Sequence, residues 1–118
     1  MHSHMYPEAS IELNRQRKAL APAAATAFKA FSDAVFADGA LSSKTKDLIA
    51  IAVAHVTQCP YCIRGHTASA LRKGATQQEV METIWVAAEM RAGAAYAHSN
   101  LALDTMNQVA AKAAGREA

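Results

Sequence analysis

The sequence predicts an all-α fold, and three observations carry that expectation. Apolar residues recur at three- and four-residue steps along most of the chain, the period of a helix with one buried face. No segment alternates apolar and polar residues as a half-buried strand does. The composition, 52% hydrophobic and 19% charged with five Gly and three Pro, is that of a globular chain rather than a disordered or collagen-like one. At 118 residues it is read as a single domain, 1-118, long enough to bury a core without staples.

The elements follow in order. From Tyr6 to Ala40, Leu20, Ala24, Phe28, Phe31, Val35 and Phe36 fall at helical steps, predicting two helices or one broken near Pro22. Asp38 to Ser43 reads as a turn. Ser43 is the expected cap of a helix that starts at Lys44, carries Leu48, Ile49, Ala52, Val53 and Val56, and ends near Gln58. Proline is tolerated in a first helical turn, so Pro60 opens a helix running to Lys73 and stopped by Gly74, with Cys59 at its N-terminus. Thr76-Gln77-Gln78-Glu79 is a capping box for a helix through Val80, Ile84, Trp85 and Ala88. Arg91-Ala92-Gly93 marks a break before a last helix from Ala94 to about Ala111, and the tail past Ala114 frays. The total is about six helices, without internal repeats or linkers. Alanine-rich stretches over 21–27 and 87–97 offer close helix approach but little apolar area per residue, which points to burial across subunits.

Charge excludes several functions. Twelve Lys and Arg against ten Asp and Glu leave a net +2, dispersed and without aromatic interleaving, so no nucleic acid is expected as partner. The N-terminus has no apolar h-region and no run reaches spanning length, so no membrane is expected and a cytoplasmic location is the simplest reading. His2 and His4, two histidines near a chain end, are too few to fix an ion.

The chemistry concentrates at Cys59-Pro60-Tyr61-Cys62 and His66. Two cysteines two residues apart do not staple a secreted mini-protein; in the cytosol they suggest redox chemistry or a metal. A thiol is a weak nucleophile at neutral pH because little of it is ionised, and a redox cysteine needs help. Three helpers are visible: the unpaired amides and dipole of a helix N-terminus, the second thiol, and the imidazole of His66 one turn beyond Cys62 on the same face. Cys62 is therefore the better assisted thiol. An imidazole relay also wants an orienting carboxylate, and Asp47, Glu79 and Glu82 are the candidates on neighbouring helices.

Other readings stand beside this one. His55, Cys59, Cys62 and His66 form a two-His, two-Cys segment, so zinc must be weighed. Along a nearly continuous helix these residues spread over about 16 Å at about 1.5 Å per residue, whereas a tetrahedral ion needs convergence. The site as read needs no metal and no cofactor. The cysteines could instead be an inert buried pair. His55 is a secondary candidate whose plainer reading is a packing histidine; Tyr61, also secondary, could merely shield the sulfurs. Trp85, Met81, Met90 and Met106 read as core or interface.

The stretch Lys44-Thr45-Lys46-Asp47-Leu48-Ile49-Ala50, His55-Val56-Thr57-Gln58-Cys59-Pro60-Tyr61-Cys62 and Gly65-His66 resembles the alkylhydroperoxidase AhpD-like members of the carboxymuconolactone decarboxylase superfamily. The likeness runs on through Gly74-Ala75-Thr76, Glu79, Trp85-Val86-Ala87-Ala88 and Arg91-Ala92-Gly93-Ala94, covering roughly residues 44 to 100. The resemblance implies a helical bundle assembled as trimers or hexamers, with Cys62 as peroxidatic thiol, Cys59 as resolving thiol and His66 in a proton relay. It aligns Asp47, twelve residues before Cys59, with the relay carboxylate, commonly a Glu and thus one methylene longer. It also places Tyr61 where some characterised peroxidases carry a further relay histidine.

The expected function is a thiol-dependent peroxidase, or a disulfide reductase, acting on a small-molecule peroxide and restored by a thiol or dithiol reductant protein. The alternatives are a redox sensor or scaffold without turnover and, less favoured, a decarboxylase or a zinc protein.

Overall fold

The computed structural model describes residues 5–115, and five helices make up its regular structure. They are α1 (Ile11–Leu20), α2 (Pro22–Phe36), α3 (Ser43–Thr57), α4 (Pro60–Arg72) and α5 (Gln77–Ala113). No strand occurs among the described residues, and the all-α expectation holds.

Each boundary has a local cause. Ser10 caps α1 by accepting the Leu13 N–H at 3.1 Å. Ala21, which precedes Pro22, sits at φ −150°, ψ 68°, because proline drives its predecessor out of the helical region. That resolves the first segment into two helices. The cap of α3 is Ser42, not Ser43: its hydroxyl accepts the Thr45 N–H at 3.1 Å. Ser43 is already helical, its N–H donating to the Asp38 carboxylate at 2.7 Å and closing the preceding turn. Gln58 ends α3 in the left-handed region at φ 60°, and Cys59 caps α4 with Pro60 in its first turn. After α4, Gly74 takes φ 95°, a conformation open to glycine without a side-chain clash. Thr76 and Glu79 close the expected capping box, each side chain accepting the other's backbone N–H at 3.0 and 2.8 Å.

The break expected at Arg91-Ala92-Gly93 does not occur; α5 runs for 37 residues, which makes five helices where about six were expected. A lone helical glycine costs about 1 kcal/mol relative to alanine, and the alanine-rich flanks absorb that. Arg91 also pins the helix, its guanidinium donating to the Val56 carbonyl in the last turn of α3 at 2.9 Å.

The core is small. Ile51, Ala70, Ala75 and Val80, with Leu48 and Ile84 against them, lock α3, α4 and the start of α5 together. Helices α1 and α2 lie largely outside this kernel, and neither contributes a buried residue. The molecule is long, 68 × 37 × 37 Å, with a radius of gyration of 21.6 Å, where a compact chain of this length has about 13–14 Å. Its accessible surface is 9295 Å², against about 6,200 Å² for a compact monomer of this mass. Phe28, Phe31, Trp85, Tyr96 and Leu101 all stand exposed. No helix among the described residues is long and apolar enough to cross a membrane.

Candidate active site

The site is built across α3 and α4. Cys62, His66, Ser69 and Lys73 follow one another at steps of four, three and four residues along α4, so they form one stripe on that helix. Asp47, in the second turn of α3, receives that stripe.

Cys59 and Cys62 are joined as a disulfide with 5.3 Å between their Cα atoms. Cys62 is exposed and Cys59 half-buried, so the pair is not a buried one. As the cap of α4, the Cys59 sulfur accepts the Cys62 N–H at 3.2 Å. The Cys62 N–H and the positive end of the helix dipole therefore both favour negative charge on Cys59 once the bond opens.

The carboxylate of Asp47 is 2% exposed and fully partnered. Its Oδ1 faces His66 Nδ1 at 2.9 Å, and its Oδ2 accepts from the Ser69 hydroxyl at 2.7 Å and from Lys73 Nζ at 2.6 Å. The shorter side chain thus reaches the imidazole. Burial, the largest single influence on Asp47, pushes its pKa up. Hydrogen bonds from Lys73, His66 and Ser69, with the charge of Lys73, outweigh it and hold the carboxyl below its ordinary value. With an ionised acceptor at Oδ1, the proton of a neutral His66 belongs on Nδ1, and Nε2 is left as the acceptor. Phe36, at the end of α2, stacks on the imidazole with centroids 4.8 Å apart.

The remaining candidates lie apart from this network. Glu79 is committed to the capping box and pairs with Lys44 at 3.3 Å; Glu82 is exposed on α5. His55 bonds the Ile51 carbonyl of its own helix through Nδ1 at 2.7 Å, the behaviour of a packing histidine. The Tyr61 hydroxyl donates to the Pro7 carbonyl at 2.6 Å, and its ring meets Tyr6 edge-on with centroids 6.1 Å apart. It tethers the segment before α1 to the dithiol loop. Among the described residues no three His, Cys, Asp or Glu side chains converge as metal ligands would; His2 and His4 lie outside the described residues. Sequence reasoning missed Ser69, Lys73 and Phe36, although the spacing of the first two from Cys62 and His66 was a readable signal.

A cysteine pair at a helix start with Cys62 exposed, one turn before an imidazole held by a buried carboxylate, defines a helical dithiol protein. Comparison with known proteins fixes the family: residues 22–105 match the carboxymuconolactone decarboxylase family, and the chain belongs to it. It is 58% identical over 103 residues, 87% of this chain and 92% of that one, to uncharacterized protein 4 in the cox locus of Paracoccus denitrificans. The crystal structure of an apo carboxymuconolactone decarboxylase family protein from Legionella pneumophila superposes with a TM-score of 0.61 at 40% identity, over 67% of this chain and 70% of that one. A crystal structure from Thermotoga maritima, 24% identical, shares the fold with a TM-score of 0.65 over 92% of this chain and 98% of its own.

Proposed function

We propose that this chain is a thiol-dependent peroxidase of the alkylhydroperoxidase type, able to act also as a disulfide reductase. The observation that carries the reading is the single stripe on α4 that puts the exposed Cys62 one turn before His66, whose Nδ1 is bound to the buried Asp47 carboxylate.

In the reduced protein His66 Nε2 takes the proton of the Cys62 thiol, and Asp47 stabilises the imidazolium that forms. The Cys62 thiolate attacks the terminal oxygen of a hydroperoxide. The O–O bond breaks, the S–O bond forms, and the departing alkoxide leaves as alcohol with the proton from His66. The Cys62 sulfenic acid condenses with the Cys59 thiol, releasing water and closing the disulfide. The net change is dithiol plus hydroperoxide to disulfide, alcohol and water. An external thiol or dithiol protein then attacks the exposed Cys62 sulfur, and Cys59 leaves as a thiolate held by the Cys62 N–H; a leaving thiol of low pKa departs faster. A second thiol of the reductant attacks the mixed disulfide, closing the reductant's own disulfide and freeing Cys62. We propose further that the working unit is a homo-oligomer of the trimer or hexamer kind. The surface in excess of a compact monomer, about 3,000 Å² per chain by the mass scaling, exceeds the share one partner buries in a standard interface, about 800 Å².

Reduced protein mixed with one equivalent of cumene hydroperoxide is expected to lose two thiols per chain and yield one cumyl alcohol. Cys59→Ser is expected to stop at a sulfenic acid, seen as a mass gain of one oxygen, and Cys62→Ser to leave the peroxide intact. Catalytic turnover surviving in both variants refutes the reading. A sensing role is the second reading, favoured by the Tyr61 tether to Pro7; stoichiometric oxidation without turnover would select it.

A further inference from the structure

We infer that Lys73 is a positioning residue of this site: by holding Oδ2 of Asp47 it keeps the carboxylate ionised with Oδ1 turned to His66, and so fixes which imidazole nitrogen carries the proton. The consequence for catalysis rests on the peroxidase reading; the positioning itself does not.

A carboxylate as buried as Asp47 is unstable unless a charge or several donors compensate it. If it took up a proton it could itself donate to His66 Nδ1, and the proton on the ring would move to Nε2, where no thiol proton could then be accepted. Ser69 supplies a donor but no charge. Lys73 supplies both, at 2.6 Å. Its own position is fixed twice over: Nζ also donates to the Ser43 hydroxyl in the first turn of α3 at 2.6 Å, and the residue is the C-cap of α4, where a cation is favoured by the helix dipole.

Two other cations of α3 are engaged elsewhere. Lys44, on α3, is turned to Glu79 at the start of α5, and Lys46 donates to the Ala37 carbonyl at 2.6 Å. Helix α2 presents the Phe36 ring to the imidazole. The two oxygens of Asp47 are thus divided, one to His66 and the other to Ser69 and Lys73. Without Lys73, Oδ2 keeps only an uncharged hydroxyl.

The test uses the reduced full-length chain and three readouts, none involving peroxide. The Asp47 carboxyl is titrated by carbon-13 NMR, the protonated nitrogen of His66 is read by nitrogen-15 NMR, and the pH profile of thiol alkylation by iodoacetamide is recorded. In Lys73→Met the carboxyl midpoint is expected to move up by about half to one pH unit, a single half-exposed cation acting at hydrogen-bond distance. The acid limb of alkylation is expected to move with it. Lys73→Arg, which keeps the charge, is expected to restore both; Lys73→Gln serves as the neutral variant if Lys73→Met does not fold. An unmoved carboxyl, a moved carboxyl with an unmoved alkylation limb, or a defect that Lys73→Arg shares overturns the inference. A protein that consumes no peroxide overturns the proposed function instead and leaves these readouts standing.

Discussion

Replacing Asp47 by Asn removes one charge and changes no heavy-atom count, and its consequences for stability and for chemistry separate. The amide can present its oxygen to only one side of the site. Facing Lys73 and Ser69, that oxygen keeps the donors now 2.6 and 2.7 Å away; facing His66, it would aim two N–H groups at the ammonium. The first orientation wins, and the amide N–H₂ then points at His66 Nδ1, now 2.9 Å from Oδ1. His66 must accept there, and its proton moves to Nε2. Three bonds to a charged group become bonds to a neutral one, at about 1 kcal/mol each. Relief from burying a charge returns part of that, and Lys73 is half screened by water. The net loss is about 1–2 kcal/mol, small against the 5–15 kcal/mol typical of a folded domain. The rate loss is far larger, because an Nε2–H cannot take the thiol proton; a positioned base contributes about 10²–10⁴-fold, and inverting a tautomer of this kind costs about 10⁴-fold in the serine-protease triad. Urea unfolding at pH 7 gives the first quantity and stopped-flow oxidation of the reduced protein by cumene hydroperoxide the second. A folded Asp47→Asn protein that reacts at the unsubstituted rate refutes the relay, as does a rate loss no larger than the unfolded fraction explains.

Two further outcomes rest on Asp47 and on the exposed apolar residues of α5. The Asp47 carboxyl titrates below its ordinary value when folded, so its stabilisation is complete above the unfolded carboxylate pKa of about 3.9 and is lost as pH falls through the folded value; urea midpoints from pH 7 down to pH 3 should fall more steeply for the unsubstituted chain than for Asp47→Asn. For the homo-oligomer proposed above, Leu101→Glu or Tyr96→Glu, each placing a charge on the apolar surface of α5, should lower the mass seen by light scattering coupled to size exclusion; an unchanged mass in both would remove α5 from the proposed interface.

Local chemistry wrote most of the boundaries legibly. Pro22, Pro60 and Gly74 act on the backbone of one or two residues, and the Thr76–Glu79 box closes within a single turn, so each could be read without knowing the fold. Gly93 was misread for the opposite reason. Whether a lone glycine ends a helix depends on what the flanking turns pack against, and Arg91 reaching the Val56 carbonyl of α3 is a tertiary contact. The site divides in the same way. Cys59, Cys62 and His66 declare themselves by spacing, but spacing alone does not choose Asp47 over Glu79 and Glu82, which depends on how α3 and α4 cross; the family resemblance was what singled it out. One clue was already present: a Glu at the third position of a capping box is committed to its own helix. Phe36 gave no signal beyond being apolar.

The Cys59 sulfur has two occupations, as half of a disulfide and as the cap of α4. A thiolate accepts a backbone N–H more strongly than a disulfide sulfur does. Electrons arriving at the pair therefore tighten the first turn of the helix, and by reciprocity anything that secures that turn makes the pair readier to accept them. Fraying and reduction oppose each other through one atom. Beside the small buried cluster of Ile51, Ala70, Ala75 and Val80, the first turn of α4 is in this way held more firmly when the pair is reduced.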